Sequence, residues 1–186
     1  MKLRMIPLAF VPAIVALSAC TPDGKADAPA NSEEAAKTAN SETIAAGLGQ
    51  DSKFMAAAKT AGIDVTLAGP GPYTVLVPDD AAFDKLPAGR LDQLMKPESR
   101  AELTQILTYH ILPGTVLADD IGKAIDAADD KKAELATMGG KTLTATRDGD
   151  KIVLTDLAGN KAVVSQADTT QSNGVIHHID AVLIPG

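Results

Sequence analysis

The residues of this 186-residue chain best suited to proton transfer or metal binding are three histidines and a scatter of carboxylates. His110 follows Tyr109, while His177 and His178 are adjacent and precede Asp180. Imidazole titrates near neutrality, so each could move a proton, hold a metal or sense pH. A zinc ion needs three or four converging ligands, and His110, His177 or His178, and Asp180 form the set that could converge. Strand alternation speaks against it. In an extended segment Val175, His177 and Ile179 face one way, and Ile176, His178 and Asp180 the other. Adjacent histidines so placed do not share one ion, and no metal site is assigned. The competing reading makes His110 and His177 core residues whose ring nitrogens serve backbone partners, because a buried polar group needs one. The pairs Asp79-Asp80, Asp119-Asp120 and Asp129-Asp130 read as helix caps or solvated turns before they read as acid–base or calcium sites. Gly-x-Ser-x-Gly, His-Glu-x-x-His and a phosphate-cradling Gly-rich loop ending in Lys and Ser/Thr do not occur. No catalytic residue and no cofactor are assigned, and the chain reads as a non-enzyme.

The elements that place these groups are legible from local pattern. Asn173-Gly174 is a turn dipeptide leading into the apolar run Val175 to Ile179. Helical spacing predicts a helix carrying Ile44 and Leu48 behind Asn40 or Ser41. It predicts another carrying Phe54, Ala57, Ala58 and Ala61 behind Asp51 or Ser52, stopped by Gly62. Gly69-Pro70-Gly71-Pro72 is a turn, and Tyr73 to Val77 a strand after it. Asp79-Asp80 then caps a helical turn through Phe83. Further helices carry Leu91, Leu94 and Met95, then Leu103, Ile106 and Leu107, before an extended Tyr109 to Leu112. Lys141–Arg147, Lys151–Thr155 and Lys161–Ser165 form a meander with turns at Asp148-Gly149-Asp150 and Leu157 to Asn160. Asp126 to Lys132 is read as a solvated loop. Helices first and strands later describe an α+β fold.

The N-terminus speaks to location. Lys2 and Arg4 precede an apolar run from Ile6 to Ala19, broken by Pro7 and Pro12, which reads as a signal peptide over residues 1–19. It ends in Leu17-Ser18-Ala19-Cys20, which resembles the bacterial lipoprotein box, and Cys20 is the chain's only cysteine. That resemblance implies a diacylated Cys20 and a membrane partner, since acyl methylenes each contribute about 0.8 kcal/mol when buried. Thr21, where Asp would favour inner-membrane retention, implies the outer membrane of a Gram-negative envelope. Residues 20–40 lack Leu, Ile, Val and aromatic side chains, so they read as a disordered tether. Residues 41–186 are the folded domain.

Charge narrows the partners. The chain has 17 basic and 24 acidic residues, and removing Lys2 and Arg4 with a signal peptide leaves 15 basic residues against those 24. An acidic surface excludes nucleic acid and electrostatic attachment to anionic lipid.

Three ordered segments resemble the fasciclin domain family. Thr74-Val75-Leu76-Val77-Pro78-Asp79-Asp80-Ala81-Ala82-Phe83 is similar to its first signature, through Thr74, Pro78, Asp80 and Phe83. Tyr109-His110-Ile111-Leu112-Pro113-Gly114 matches its central Tyr-His motif. Asn173, Gly174 and His177, with Ile179-Asp180 and Val182 to Pro185, match its closing signature. The departures are Asp79, where Thr or Ser is common, and His178, where another residue type is usual. The resemblance implies a wedge-like β-sandwich with helices along it and a role in adhesion to an envelope or matrix protein or polysaccharide, with weak self-association. The alternative is a periplasmic small-ligand or lipid binder. In animal relatives an Asp-Ile pair serves receptor binding. Asp168 matches its first member, but Thr169 replaces Ile, so Asp168 and His178 stand only as possible interaction residues.

Overall fold

The computed structural model describes residues 41–186, so the 1–19 signal stretch, Cys20 and the 20–40 tether lie outside the described residues. Three helices come first: α1 (Ile44–Gly47), α2 (Lys53–Ala61) and α3 (Asp64–Ala68). Ser52 caps α2 by accepting the Met55 N–H, and Gly62 ends it in the left-handed region (φ 80°), as the sequence pattern requires. Strand β1 (Tyr73–Pro78) follows, then the short helices α4 (Asp80–Asp84) and α5 (Arg90–Leu94). A 3-10 turn at Pro97–Ser99 feeds α6 (Arg100–Tyr109), which runs into β2 (Ile111–Pro113). After α7 (Ala118–Ala127) the chain is all strand: β3 (Lys132–Ala136), β4 (Thr142–Asp148), β5 (Lys151–Thr155), β6 (Lys161–Gln171) and β7 (Gly174–Ile179). The fold is α+β, helical in its first half and strand-rich in its second.

The strands form one mixed sheet in the order β2-β1-β7-β6-β5-β4-β3. β3 to β6 are the antiparallel meander, and β7 turns back along β6. The exception to antiparallel pairing is β7 beside β1, which run parallel with Leu76 opposite His177. β6 serves both halves of the sheet. Its start pairs with β5 and its later part with β7, with register shifts between Val164 and Gln166 and between Gln166 and Thr169. Such irregularities bend a strand. The far ends come back together. Met138 N–H donates to Ile111 O (2.8 Å) and Gly139 N–H to Thr108 O (3.1 Å), which ties the β3–β4 turn to the start of β2.

Alternation along β1 separates two cores. Val75 and Val77 face the helices, where Phe54, Leu67, Phe83, Leu103 and Ile106 pack against them. Leu76 faces the other way, into a cluster with Leu143, Leu154, Ile179 and Leu183 between the two halves of the sheet. A strand buried on both faces must be apolar throughout, which explains the uninterrupted Val75-Leu76-Val77 run.

Several elements depart from the sequence reading: α3 was not anticipated, and Tyr109, read as extended, is the last residue of α6. The stretch after Leu117, read only as a pair of carboxylates and a solvated loop, forms α7, whose buried face is Ile121, Gly122 and Ile125. One short apolar stripe among carboxylates is a weak helical signal. Lys132 to Ala136 forms the edge strand β3, with Ala133 buried and Lys132 and Glu134 exposed. Lys and Glu are poor strand formers, and the antiparallel register with β4 overrides that preference.

Candidate functional site

The three motif segments, distant in sequence, are neighbours in space. β2, β1 and β7 lie side by side, so Tyr109–Gly114, Thr74–Phe83 and Asn173–Asp180 form one patch of structure.

At its entrance, Asn173 is almost fully enclosed and uses every polar atom of its side chain. Oδ1 accepts the Ile44 N–H at 2.7 Å, while Nδ2 donates to Leu67 O (2.9 Å) and Gly69 O (2.8 Å). One amide thus joins the start of β7 to α1 and to the end of α3. Gly174 has φ 153°, and a Cβ there would stand 1.9 Å from Tyr73 O. The glycine is required because β1 and β7 begin backbone against backbone. Thr74 works on the other side, donating to Gly114 O and accepting the Val116 N–H, both at 2.8 Å.

His110 is the residue after α6 and is 1% exposed. Its Nδ1 is 2.8 Å from Ile106 O, so Nδ1 carries the proton and donates to that carbonyl. Nε2 then accepts the Leu183 N–H at 3.1 Å. Burial disfavours the imidazolium and lowers the His110 pKa from 6.5 to about 4. Phe54 meets the ring edge-on at 6.3 Å between centroids. Tyr109 beside it is fully buried and donates its hydroxyl to Thr142 O at 2.9 Å. The Tyr-His pair therefore joins helix, strand and C-terminal tail.

His177 is equally enclosed, on the face between the two halves of the sheet. Nε2 donates to Val116 O (2.8 Å), and Nδ1 accepts the Asp168 N–H (3.1 Å). The Asp168 carboxylate stands 3.9 Å from the same nitrogen. That nitrogen already accepts the Asp168 amide hydrogen, so the contact is not an ion pair. Burial lowers the His177 pKa, and the Val116 bond offsets part of the effect. Asp168 has φ 60° at the irregular part of β6, a left-handed conformation that Asp tolerates, and its Oδ1 accepts the Ala118 N–H at 2.8 Å. It fastens the start of α7 to the sheet and to His177.

His178 faces the other way, as alternation requires. Its side chain is 30% exposed, and Nδ1 lies 3.1 Å from Asp79 Oδ1. Asp79 Oδ2 accepts from Ser165 Oγ at 3.1 Å. The two departures from the family pattern, Asp79 and His178, are thus partners. Asp79 sits at the N-cap position of α4 but makes no side-chain cap bond, because its carboxylate is turned to His178 and Ser165. Asp80, read as a cap for its own helix, accepts the Lys53 N–H at the start of α2 instead (3.0 Å). Phe83 and Pro78 line an enclosed apolar cavity of about 10 Å³ together with His110.

Asp180 accepts the Val163 N–H (2.7 Å) and lies 3.3 Å from Lys85 Nζ. Partial burial pushes its pKa up, but the Val163 bond and the Lys85 ammonium outweigh this and hold it below 3.8. The structure therefore separates the candidate set. His110 serves the tail, His177 the Val116 and Asp168 segments, His178 the α4 entry, and Asp180 the β6 backbone. Among the described residues no group of three or more His, Cys, Asp or Glu side chains is placed to hold a metal ion.

The sequence reading missed Asp156, which is 5% exposed and accepts four hydrogen bonds. Oδ1 takes the Ala158 and Asn160 N–H groups (2.9 and 2.8 Å), and Oδ2 takes Asn160 Nδ2 and the Ile184 N–H (both 2.9 Å). An Asp immediately before the turn Leu157-Ala158-Gly159-Asn160 was the available signal, because Asx side chains bond their own backbone two residues on. The bond to Ile184 carried no local signal.

Fold and site together define a small α+β domain whose motif residues are internal fasteners. The chain belongs to the fasciclin domain family: the model described as "Fasciclin domain" matches residues 49–185. Protein sll1483 of Synechocystis sp. is 39% identical over 142 residues, covering 76% of this chain and 71% of that protein. Transforming growth factor-beta-induced protein ig-h3 of Sus scrofa is 34% identical over 131 residues, which are 70% of this chain and 17% of that protein. Immunogenic protein MPB70 of Mycobacterium bovis is 36% identical over 116 residues, 62% of this chain and 51% of that one. Among solved structures, a FAS1 domain pair from the insect cell adhesion molecule Fasciclin I superposes with TM-score 0.54 at 25% identity, covering 70% of this chain and 44% of that one.

Proposed function

We infer that this chain is a non-catalytic interaction module of the bacterial cell envelope, held to the outer membrane by an acylated Cys20. Its folded surface engages an envelope or matrix protein or polysaccharide. The observation that carries this reading is the likeness, over most of the described residues, to domains of a cell adhesion molecule. The site geometry is consistent with it: His110, His177, Asn173 and Asp168 use their polar atoms on the domain's own backbone. The anchor rests on Leu17-Ser18-Ala19-Cys20 and on the apolar-free segment 20–40 behind it. Tethering raises the effective concentration of a weakly binding surface near its partner.

The test has two arms. Cells expressing the native chain or Cys20→Ser are labelled with palmitate and fractionated. Incorporation and membrane recovery are expected for the native chain alone, and a labelled, membrane-bound Cys20→Ser chain defeats the anchor. Beads carrying the full chain are then scored for attachment to intact cells. Attachment no greater than that of bare beads defeats the adhesion reading.

A further inference from the structure

A cleft of about 400 Å³ opens beside the end of β7, between the segment after α4 and the C-terminal tail. Leu86, Pro87, Val182 and Ile184 give it an apolar floor, and Lys85 and Lys161 stand in its lining. No carboxylate lines it, although acidic residues outnumber basic ones 24 to 17 in the chain as a whole. Lys161 makes no ion pair among the described residues. Lys85 lies 3.3 Å from Asp180, with both side chains largely in water (58% and 43% exposed), a kind of pair that a competing anion can displace at little cost.

The wall of the cleft is held in place before any ligand arrives. The Leu183 N–H is bonded to His110 Nε2 and the Ile184 N–H to Asp156 Oδ2, so the tail is pinned at two consecutive residues beside the space. Leu86 and Val182 also line the enclosed apolar cavity of about 10 Å³ beneath, so the floor continues into the helical core. A preformed space of this size lies within the range of roughly 300–1,000 Å³ usual for small-molecule sites. It is small for a folded partner.

The geometry points to this cleft as a binding site for a single-chain anionic amphiphile. The tail of a carboxylate such as a medium-chain fatty acid lies along Leu86, Val182 and Ile184, and its head meets the Lys161 and Lys85 ammonium groups. The apolar floor selects the tail by removing it from water. The two ammonium groups select an anion over a neutral or cationic head. This site is independent of the adhesive surface, and either can fail without the other.

The test uses the full chain carrying Cys20→Ser, so that no acyl group of its own competes, and decanoate kept below its micelle threshold. Titration calorimetry is expected to show saturable binding, with decanol weaker by about tenfold and decyltrimethylammonium not bound. Lys161→Gln and Lys85→Gln should each weaken decanoate by about tenfold at unchanged melting temperature, and Lys151→Gln at the exposed start of β5 should leave it unchanged. Ala181→Phe, which places a ring in the cleft, should abolish binding. No saturable decanoate binding, equal affinity for the anionic and cationic chains, or affinity unmoved by both Lys161→Gln and Ala181→Phe overturns the proposal. So does capture of an acidic peptide in place of decanoate.

Discussion

Lowering the pH from 7 to 5 is expected to remove about 2 kcal/mol of folding stability through His110 alone. The ring is enclosed, donates from Nδ1 to Ile106 O and accepts from the Leu183 N–H at Nε2, so protonating Nε2 destroys an acceptor inside the core. Its folded pKa is lowered from 6.5 to about 4, chiefly by burial. Between those values the unfolded chain binds a proton that the folded chain excludes. Stability is therefore complete above pH 6.5 and falls as the pH descends toward 4. The full shift corresponds to about 3 kcal/mol, of which about 2 is lost by pH 5. His177, also lowered by burial, acts in the same direction. Asp180, whose pKa is held below 3.8, loses its contribution only at lower pH and does not oppose the trend in this window. With no tryptophan in the chain, urea unfolding is followed by far-UV circular dichroism at pH 7, 6 and 5, in the native chain and in His110→Gln. The variant should be less stable at pH 7 but should lose about 2 kcal/mol less across the range. A flat native profile, or a variant profile parallel to it, refutes the reasoning.

Two further perturbations address the fasteners. Asn173→Ala strands the Ile44 N–H and the Leu67 and Gly69 carbonyls. It should cost about 3 kcal/mol in urea midpoint analysis, and a cost under about 1 kcal/mol would mean those groups find other partners. Asp156→Ala should cost a similar amount, about 3 kcal/mol. It should also speed amide exchange at Ile184, whose N–H is bound to that carboxylate, and protection kept at Ile184 would contradict its role as tail anchor.

How much of this was legible beforehand depends on the range of each interaction. The caps and stops of α2, the meander turns and the opposite facing of His177 and His178 were readable because each follows from dihedral preference or period within a few residues. α7 and β3 were not, since Ile121 and Ile125 are a thin stripe among carboxylates and Lys132 to Ala136 pairs only because β4 lies beside it. Asp79 shows the same limit at one side chain. Its position before α4 predicts a cap, but His178 and Ser165, brought there by β7 and β6, take its carboxylate.

The sequence by itself determined the family, the α+β order of elements and the two-faced apolar character of β1 and β7. Those features are written in contiguous residues and in the order of three motifs. Only the tertiary structure decided what the histidines do. Ile106 lies one helical turn before His110, but Leu183 reaches His110, and Val116 and Asp168 reach His177, through sheet pairing and the path of the tail. The protonation of a buried imidazole follows from those partners and from exclusion of water, and neither is encoded at the histidine itself. The cationic cleft has the same origin, because Lys85, Lys161 and Val182 come from three separate segments and share a surface only once the sheet has formed.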